Sequence, residues 1–294
     1  MKAIAQTVKG AIEYRIEGQG QGRTALVLNG SHSHCDTPFG HEQFFLDRGY
    51  RVLIPSRPGY GRTPSETGRT AEAAADAFAA FLDTLQIDAV VLVAVSGGGR
   101  TALQLAARHP ARVSCLILQC TLSHGGWPDT MTRRVAYLMF NPVVERLLWA
   151  AFRSLAWLTP LTALKGMMRG LSVLPPATVV ARMNVAQREG ALGMLTSLRS
   201  QSGFLLDVRH VCGDLSRIHT PTLIIHSRFD GGSDFSHAEY EARWIPRAEL
   251  YDTPAPSHLI WYSTANSAIE AKMAAFLQAT HTVVLISGII CSTT

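Results

Sequence analysis

The sequence predicts an α/β fold: a mostly parallel sheet flanked by helices, with an inserted helical cap. Three observations carry this expectation. Short runs rich in valine, leucine and isoleucine alternate with helix-length segments over residues 1–121 and again over 213–280, the pattern of repeated strand–helix–strand units. Ala89–Pro110 reads AVVLVAVSGGGRTALQLAARHP, a buried strand that turns at once into a helix. Between Leu122 and Cys212 the alternation lapses, and this stretch holds six of the eight methionines and three of the five tryptophans.

In chain order, Ile4–Thr7 and Ala11–Glu17 read as opening strands, the second alternating apolar and polar residues up to the Gly18–Gly22 turn. Ala25–Leu28 is a short buried strand that runs into the loop Asn29–Cys35. A helix over about Phe39–Arg48 stops at Gly49, and the strand Arg51–Pro55 leads into the loop Ser56–Pro64. Thr70 is placed to cap an alanine-rich helix over Ala71–Leu85. Val90–Val95 is the central strand; its helix ends at His109-Pro110, and Val113–Gln119 is the next strand. Residues 122–212 form the cap, with helical segments broken at Pro142, Pro160, Pro175 and Pro176. The alternation then resumes with the strand Thr222–His226, the helix Ser236–Trp244, the strand Glu249–Tyr251 and the helix Asn266–Ala279. Residues 281–294 are an apolar tail too short to cross a bilayer. An extra strand, a packing arm and a segment foreign to the fold are all open readings of it.

The chemistry concentrates at Ala94-Val95-Ser96-Gly97-Gly98, between the central strand and its helix. A serine in a sharp strand-to-helix turn sits in strained backbone with its hydroxyl exposed, and its neighbours must be small. The next amide, that of Gly97, then points to where an oxyanion would form. A phosphate-binding glycine turn is the alternative, but neither G-x-G-x-x-G nor G-x-x-x-x-G-K-S/T fits these residues.

Composition narrows the classes. The 294 residues suffice for one large α/β domain or a core with an insert. The net charge of +5 is concentrated in Leu122–Cys212, with ten Lys/Arg against four Asp/Glu, a local balance of +6. These arginines are spread singly rather than in a dense stripe, so a nucleic-acid partner is not expected. No run approaches the roughly 20 apolar residues of a membrane span, and MKAIAQTVKG lacks the apolar segment of a signal peptide. Five scattered cysteines read as reduced thiols. The expectation is a cytoplasmic protein acting on a small molecule, with its oligomeric state left open.

Along nearly its whole length, up to about Gln278, the chain resembles the α/β-hydrolase superfamily. The residues that carry the resemblance are the loop Leu28-Asn29-Gly30, the loop Ser56-Arg57-Pro58-Gly59-Tyr60-Gly61-Arg62, the turn Ala94–Gly98, the strand Pro221–His226 leading to Asp230, and the late His258. Asn29–Cys35 is similar to an H-G-G-H-S-N-C loop of some uncharacterised bacterial members, with Asn29 in place of the histidine and His34 in place of the asparagine. The resemblance implies an α/β-hydrolase fold and a serine hydrolase.

A serine hydroxyl needs a histidine base, and the base needs a carboxylate. In this fold they follow in the order Ser, Asp or Glu, His. Asp230 and His258 lie just past successive strands, so both emerge at the carboxyl edge of the sheet beside Ser96. Asp234 is the rival acid, but Asp230 matches the family position. Of the late histidines, His226 ends a strand, His237 opens a helix and His281 follows the last helix, which leaves His258 as the base. The resemblance implies that the Ser31 and Gly97 amides form the oxyanion hole.

His32, His34, Cys35 and Asp36 lack a second cluster at metal-site spacing, so no metal is expected. His32 and His34 are instead expected at the site entrance, and the cap's Trp127, Met131 and Met139 in an apolar substrate pocket. No cofactor is implied. The expected substrate is a small or medium hydrophobic carbonyl compound, an ester first. Amide, thioester and carbon–carbon bond hydrolysis, cofactor-free perhydrolysis and a non-catalytic receptor stand as alternatives.

Overall fold

The computed structural model describes residues 1–291 other than 20, 21, 126, 129 and 142, with backbone alone for 132 and 281–291. Its strands are β1 (Lys2–Thr7), β2 (Gly10–Glu17), β3 (Thr24–Leu28), β4 (Arg51–Pro55), β5 (Val90–Val95), β6 (Val113–Gln119), β7 (Thr222–His226) and β8 (Ala248–Asp252). They form one sheet in the order β1-β2-β4-β3-β5-β6-β7-β8. The β1–β2 and β2–β4 pairs are antiparallel, and every later neighbour pair is parallel.

The alternation of side chains along β5 divides the core. Val91, Val93 and Val95 join one apolar cluster, and Val90, Leu92 and Ala94 join the other. The first includes Phe44 and Phe45 of α1 (Glu42–Leu46) and Ile269 and Met273 of α11 (Asn266–Cys291). The second takes residues from α2 (Ala71–Thr84), α3 (Gly99–Arg108) and α10 (Ser236–Trp244). All six residues of β5 are therefore buried, as a central parallel strand covered on both faces requires.

The inserted segment contains α4 (Thr130–Met139), α5 (Val144–Leu158), α6 (Pro160–Leu171), α7 (Pro176–Arg182), α8 (Val185–Ser197) and α9 (Gly203–Asp207). Pro160 and Pro176 each occupy the first helical position, where a missing N–H costs nothing. Pro142 lies outside the described residues. Asn184 and Gln187 close a reciprocal capping box at the start of α8.

Two helix expectations change. Helix α1 is shorter than expected because its start is blocked at Gly40, which has φ +90° and packs under Trp261. The Glu42 carboxylate accepts the Phe39 and Gly40 amides at 2.8 and 2.9 Å instead. Helix α11 does not stop at Ala279 but continues to Cys291. The Thr280 hydroxyl donates back to the Phe276 carbonyl at 3.0 Å, satisfying itself within the helix. Residues 292–294 of the expected tail lie outside the described residues.

Gly40 and Gly49 offer a controlled comparison, since both have positive φ, +90° and +74°. A Cβ at Gly49 would meet nothing, whereas one at Gly40 would stand 2.1 Å from Trp261 Cδ1. Gly49→Ala is expected to cost about 1–2 kcal/mol of backbone strain. Gly40→Ala adds the displacement of Trp261 and should exceed it by about 1–3 kcal/mol. Urea unfolding midpoints of the two variants check this ranking.

Candidate active site

The parallel register places the carboxyl ends of β3, β5, β6, β7 and β8 along one edge, so the loops after them meet. Ser96 follows β5 with φ +48°, the left-handed backbone expected of a sharply turned serine. The turn closes against its neighbours: a Cβ at Gly98 would lie 2.2 Å from the Leu28 carbonyl oxygen. Ser96 is half-buried, and its own carbonyl accepts the Leu122 amide at 3.1 Å.

Asp230 and His258 come together from the loops after β7 and β8. His258 Nδ1 lies 2.7 Å from Asp230 Oδ2, and Asp230 Oδ1 accepts the Gly232 and Ser233 amides at 2.7 and 2.8 Å. Burial acts to raise the Asp230 pKa, but the facing His258 and His226 outweigh it and hold the carboxyl well below the usual range. With Nδ1 engaged, Nε2 is the nitrogen left to His258 for proton exchange. No hydrogen bond joins Ser96 Oγ to it among the described residues; sites of this kind commonly tighten only when substrate binds.

The rival groups are occupied elsewhere. Asp234 is exposed and accepts the Ser236 amide at 2.9 Å. His237 Nδ1 accepts the Ser123 amide at 3.1 Å, and burial lowers its pKa to about 3. His226 Nε2 lies 2.9 Å from the Ser233 carbonyl oxygen, to which only a protonated nitrogen can donate. Cys120, His226 and Asp230 also lie within metal-ligand distance of one another. His226 Nε2 and both Asp230 oxygens already have protein partners, so this cluster reads as support for the carboxylate. The side chain of His281 lies outside the described residues.

Ser31 and Gly97 are neighbours: a Cβ on Gly97 would stand 2.1 Å from Ser31 Oγ and 3.1 Å from Ser31 N. Neither amide donates a hydrogen bond among the described residues. His32 is ringed by Phe204, Phe140 and Trp149 at centroid distances of 4.2, 5.0 and 5.5 Å, with Nδ1 2.7 Å from Ser200 Oγ. Burial lowers its pKa to about 4. His34 turns its Nε2 to the Ser197 carbonyl at 3.1 Å. Trp127 packs with Phe140 against Ala136, Phe204 and Val208. Met131 is exposed and Met139 half-buried, and neither belongs to that cluster.

The sequence reading missed Asp207. Its buried carboxylate takes Arg57 Nη1 at 2.5 Å and Nη2 at 2.8 Å, Tyr60 Oη at 2.6 Å and Ser31 Oγ at 2.7 Å. Arg57 also donates to the Asn29 and Gly30 carbonyls at 2.8 and 3.1 Å, so one ion pair fixes the whole turn that presents Ser31. Burial disfavours the Asp207 charge, but the Arg57 guanidinium overcomes this and holds the pKa low. The Arg57 and Tyr60 motif was visible in the sequence, but its partner lies 150 residues away and no local signal links them.

The inserted segment also reaches the acid–base side. The Leu171 carbonyl accepts the His258 amide at 2.7 Å, the Val173 amide donates to Phe229 at 3.1 Å, and Ser172 Oγ donates to the Pro256 carbonyl at 2.6 Å.

Compared with known proteins, residues 41–263 match the family model of the alpha/beta hydrolase fold. The chain belongs to the α/β-hydrolase family. It is 32% identical over 287 residues to the uncharacterized hydrolase YcgS of Bacillus subtilis (strain 168), covering 95% of this chain and 100% of that protein. It is 26% identical over 258 residues to a pimeloyl-acyl-carrier-protein methyl ester esterase of Chromobacterium violaceum, covering 87% of this chain and 95% of that one. Among solved structures, an alpha/beta hydrolase fold protein from Nakamurella multipartita superposes with a TM-score of 0.80 at 26% identity, over 95% of this chain and 99% of that one. As an α/β-hydrolase, the chain is a hydrolase whose substrate these likenesses leave undefined.

Asp207→Asn should cost about 3–5 kcal/mol in urea unfolding, because it leaves the Arg57 charge buried without its partner. The sign of its pH dependence is fixed. A carboxylate held low in the fold stabilises fully above its unfolded pKa of about 3.9, and that contribution is lost as pH falls through the folded value. The stability gap between wild type and variant should therefore narrow as the pH drops below about 4.

Proposed function

We propose that this α/β-hydrolase is a serine esterase that cleaves a small or medium hydrophobic carboxylic ester through a covalent acyl-enzyme. The observation that carries this reading is the buried Asp230–His258 pair, 2.7 Å apart, at the same sheet edge as a serine in left-handed backbone. In this reading Ser96 Oγ attacks the ester carbonyl as its proton passes to His258 Nε2. Asp230, held by two amides, fixes the ring and stabilises the imidazolium. The Ser31 and Gly97 amides receive the oxyanion. His258 then protonates the departing alkoxide. A water activated by the same nitrogen cleaves the acyl-enzyme, so ester and water become acid and alcohol.

The likeness to a methyl ester esterase along most of its length fits an ester substrate, as a comparable likeness to a 2-hydroxymuconate semialdehyde hydrolase fits carbon–carbon bond hydrolysis. The aromatic surroundings of an uncharged His32 support an apolar acyl group, since a neutral wall carries no charge to pair with an anionic substrate. An Asp230–His258 pair at the sheet edge that carries Ser96 argues against a receptor without turnover.

A fluorophosphonate probe should label the wild-type protein at Ser96 and leave Ser96→Ala unlabelled; labelling that persists would remove the serine from its role. Asp230→Asn should lower kcat by about 10⁴-fold through the wrong imidazole tautomer, while Asp234→Asn keeps most activity.

Across p-nitrophenyl esters of increasing acyl length, kcat/KM should rise, because each buried methylene is worth about 0.8 kcal/mol. Salt should matter little for these neutral substrates. A flat response to chain length would show that the acyl pocket has been misread.

A further inference from the structure

Helix α5 is apolar on two opposite faces. One face buries Glu145, Trp149 and Ala156 in the inserted segment. The other presents Val143, just before the helix, Leu147 and Leu158, which are 68%, 67% and 67% exposed. At 100° per residue these three lie within one narrow arc, opposite the buried set, with Ala150, Ala151 and Ser154 filling it. Trp157, at the rim of this arc, is 83% exposed. On α4, Leu138 continues the theme at 70% exposure. A contiguous exposed apolar strip rimmed by polar residues marks a surface that something covers.

The charge around the strip says what covers it. Arg134 lies one turn before Leu138 on α4, and Arg146 flanks Leu147 on α5. On the adjoining α6, Lys165 and Arg169 follow Leu161 at four-residue intervals, and all three are exposed. Of the carboxylates described in residues 122–212, Glu145 and Asp207 are buried in ion pairs with Arg199 and Arg57, and only Glu189 is exposed. An apolar strip bordered by unneutralised cations, with a tryptophan at its edge, matches the interface of an anionic bilayer. Leucines enter the acyl boundary, tryptophan sits at the headgroups, and each cation near the surface adds attraction to acidic lipid. A second protein with the same chemistry would need an apolar, acidic counter-face. The described surface of this segment offers only Glu189 as an exposed acidic group, which disfavours another copy of this chain.

We infer that α4, α5 and α6 form a docking surface for an anionic lipid bilayer. The helices lie in the interface without crossing it, and among the described residues no single helix is long and apolar enough to span. The inference does not depend on the esterase reading, because none of the docking residues belongs to the candidate active site.

Vesicle co-sedimentation of the full chain tests it. The protein should partition onto phosphatidylcholine vesicles carrying about 30 mol% phosphatidylglycerol, and at least about tenfold less onto pure phosphatidylcholine. Salt at about 0.5 M should remove most of the difference. Leu147→Glu with Leu158→Glu, and separately Arg146→Glu with Lys165→Glu, should each reduce partitioning by about tenfold or more. Their thermal midpoints should stay unchanged, since all four side chains are exposed. The second variant pair still decides the matter if the first does not fold. Ser96→Ala should bind like wild type, which separates docking from catalysis. Equal partitioning of wild type and both variant pairs would overturn the inference, as would no partitioning onto either vesicle. So would a wild-type dimer in sedimentation velocity that Leu147→Glu with Leu158→Glu dissociates while vesicles bind neither protein; that result would assign the face to a second copy.

Discussion

The buried pair of Arg57 and Asp207 is the constraint on which the candidate site rests. Two charges at about 2% exposure are tolerable only when their hydrogen-bonding capacity is met. Here it is met by the groups that matter. Asp207 satisfies Arg57, Tyr60 and the Ser31 hydroxyl, and Arg57 satisfies the carbonyls of Asn29 and Gly30. The turn after β3 has no regular secondary structure to hold it, so this network sets its shape. Because Asp207 ends the inserted segment, the pair also anchors that segment to the sheet edge.

A second anchorage lies on the other side of the edge. The turn Leu171–Leu174 makes backbone and side-chain hydrogen bonds to the loops that carry Asp230 and His258. The inserted helices are thus held at both halves of the candidate machinery, the proposed oxyanion turn and the acid–base pair. Movement of these helices would disturb groups on both sides of Ser96, which gives a physical route from the outer surface to the chemistry. In this arrangement the inserted segment helps position the candidate catalytic groups.

The outward faces of the same helices follow a different rule. Toward the core, α5 is ordered by Trp149, whose indole N–H donates to Ser200 at 2.8 Å, and by Glu145 paired with Arg199. Away from the core, nothing among the described residues accounts for leucines and a tryptophan at two-thirds exposure or more. The inferred bilayer docking would supply the missing partner, and it would bring the proposed ester-cleaving site close to acyl chains.

Much of this was readable from the sequence because it depends on local rules. Strand and helix positions and the sharp turn at Ser96 follow from periodicity, small residues and loop placement, while the order Ser, Asp, His was implied by the family resemblance. The choice of Asp230 over Asp234 rested on the position the family resemblance implies, and Asp230 Oδ2 lies 2.7 Å from His258 Nδ1. Where the reading went astray, the cause was non-local. Helix α1 is cut short because Trp261, more than 200 residues later, occupies the space above Gly40. Met131 looked like pocket lining by composition, yet is 67% exposed, since side-chain type does not say which face of a helix is covered. Asp207 stayed unrecognised because a buried ion pair between distant residues leaves no periodic trace in the chain. The sequence by itself determined the elements, their order and the residue types available for chemistry. The tertiary structure alone decided which distant charges meet and which apolar faces remain uncovered, because desolvation and pairing depend on neighbours brought together in space.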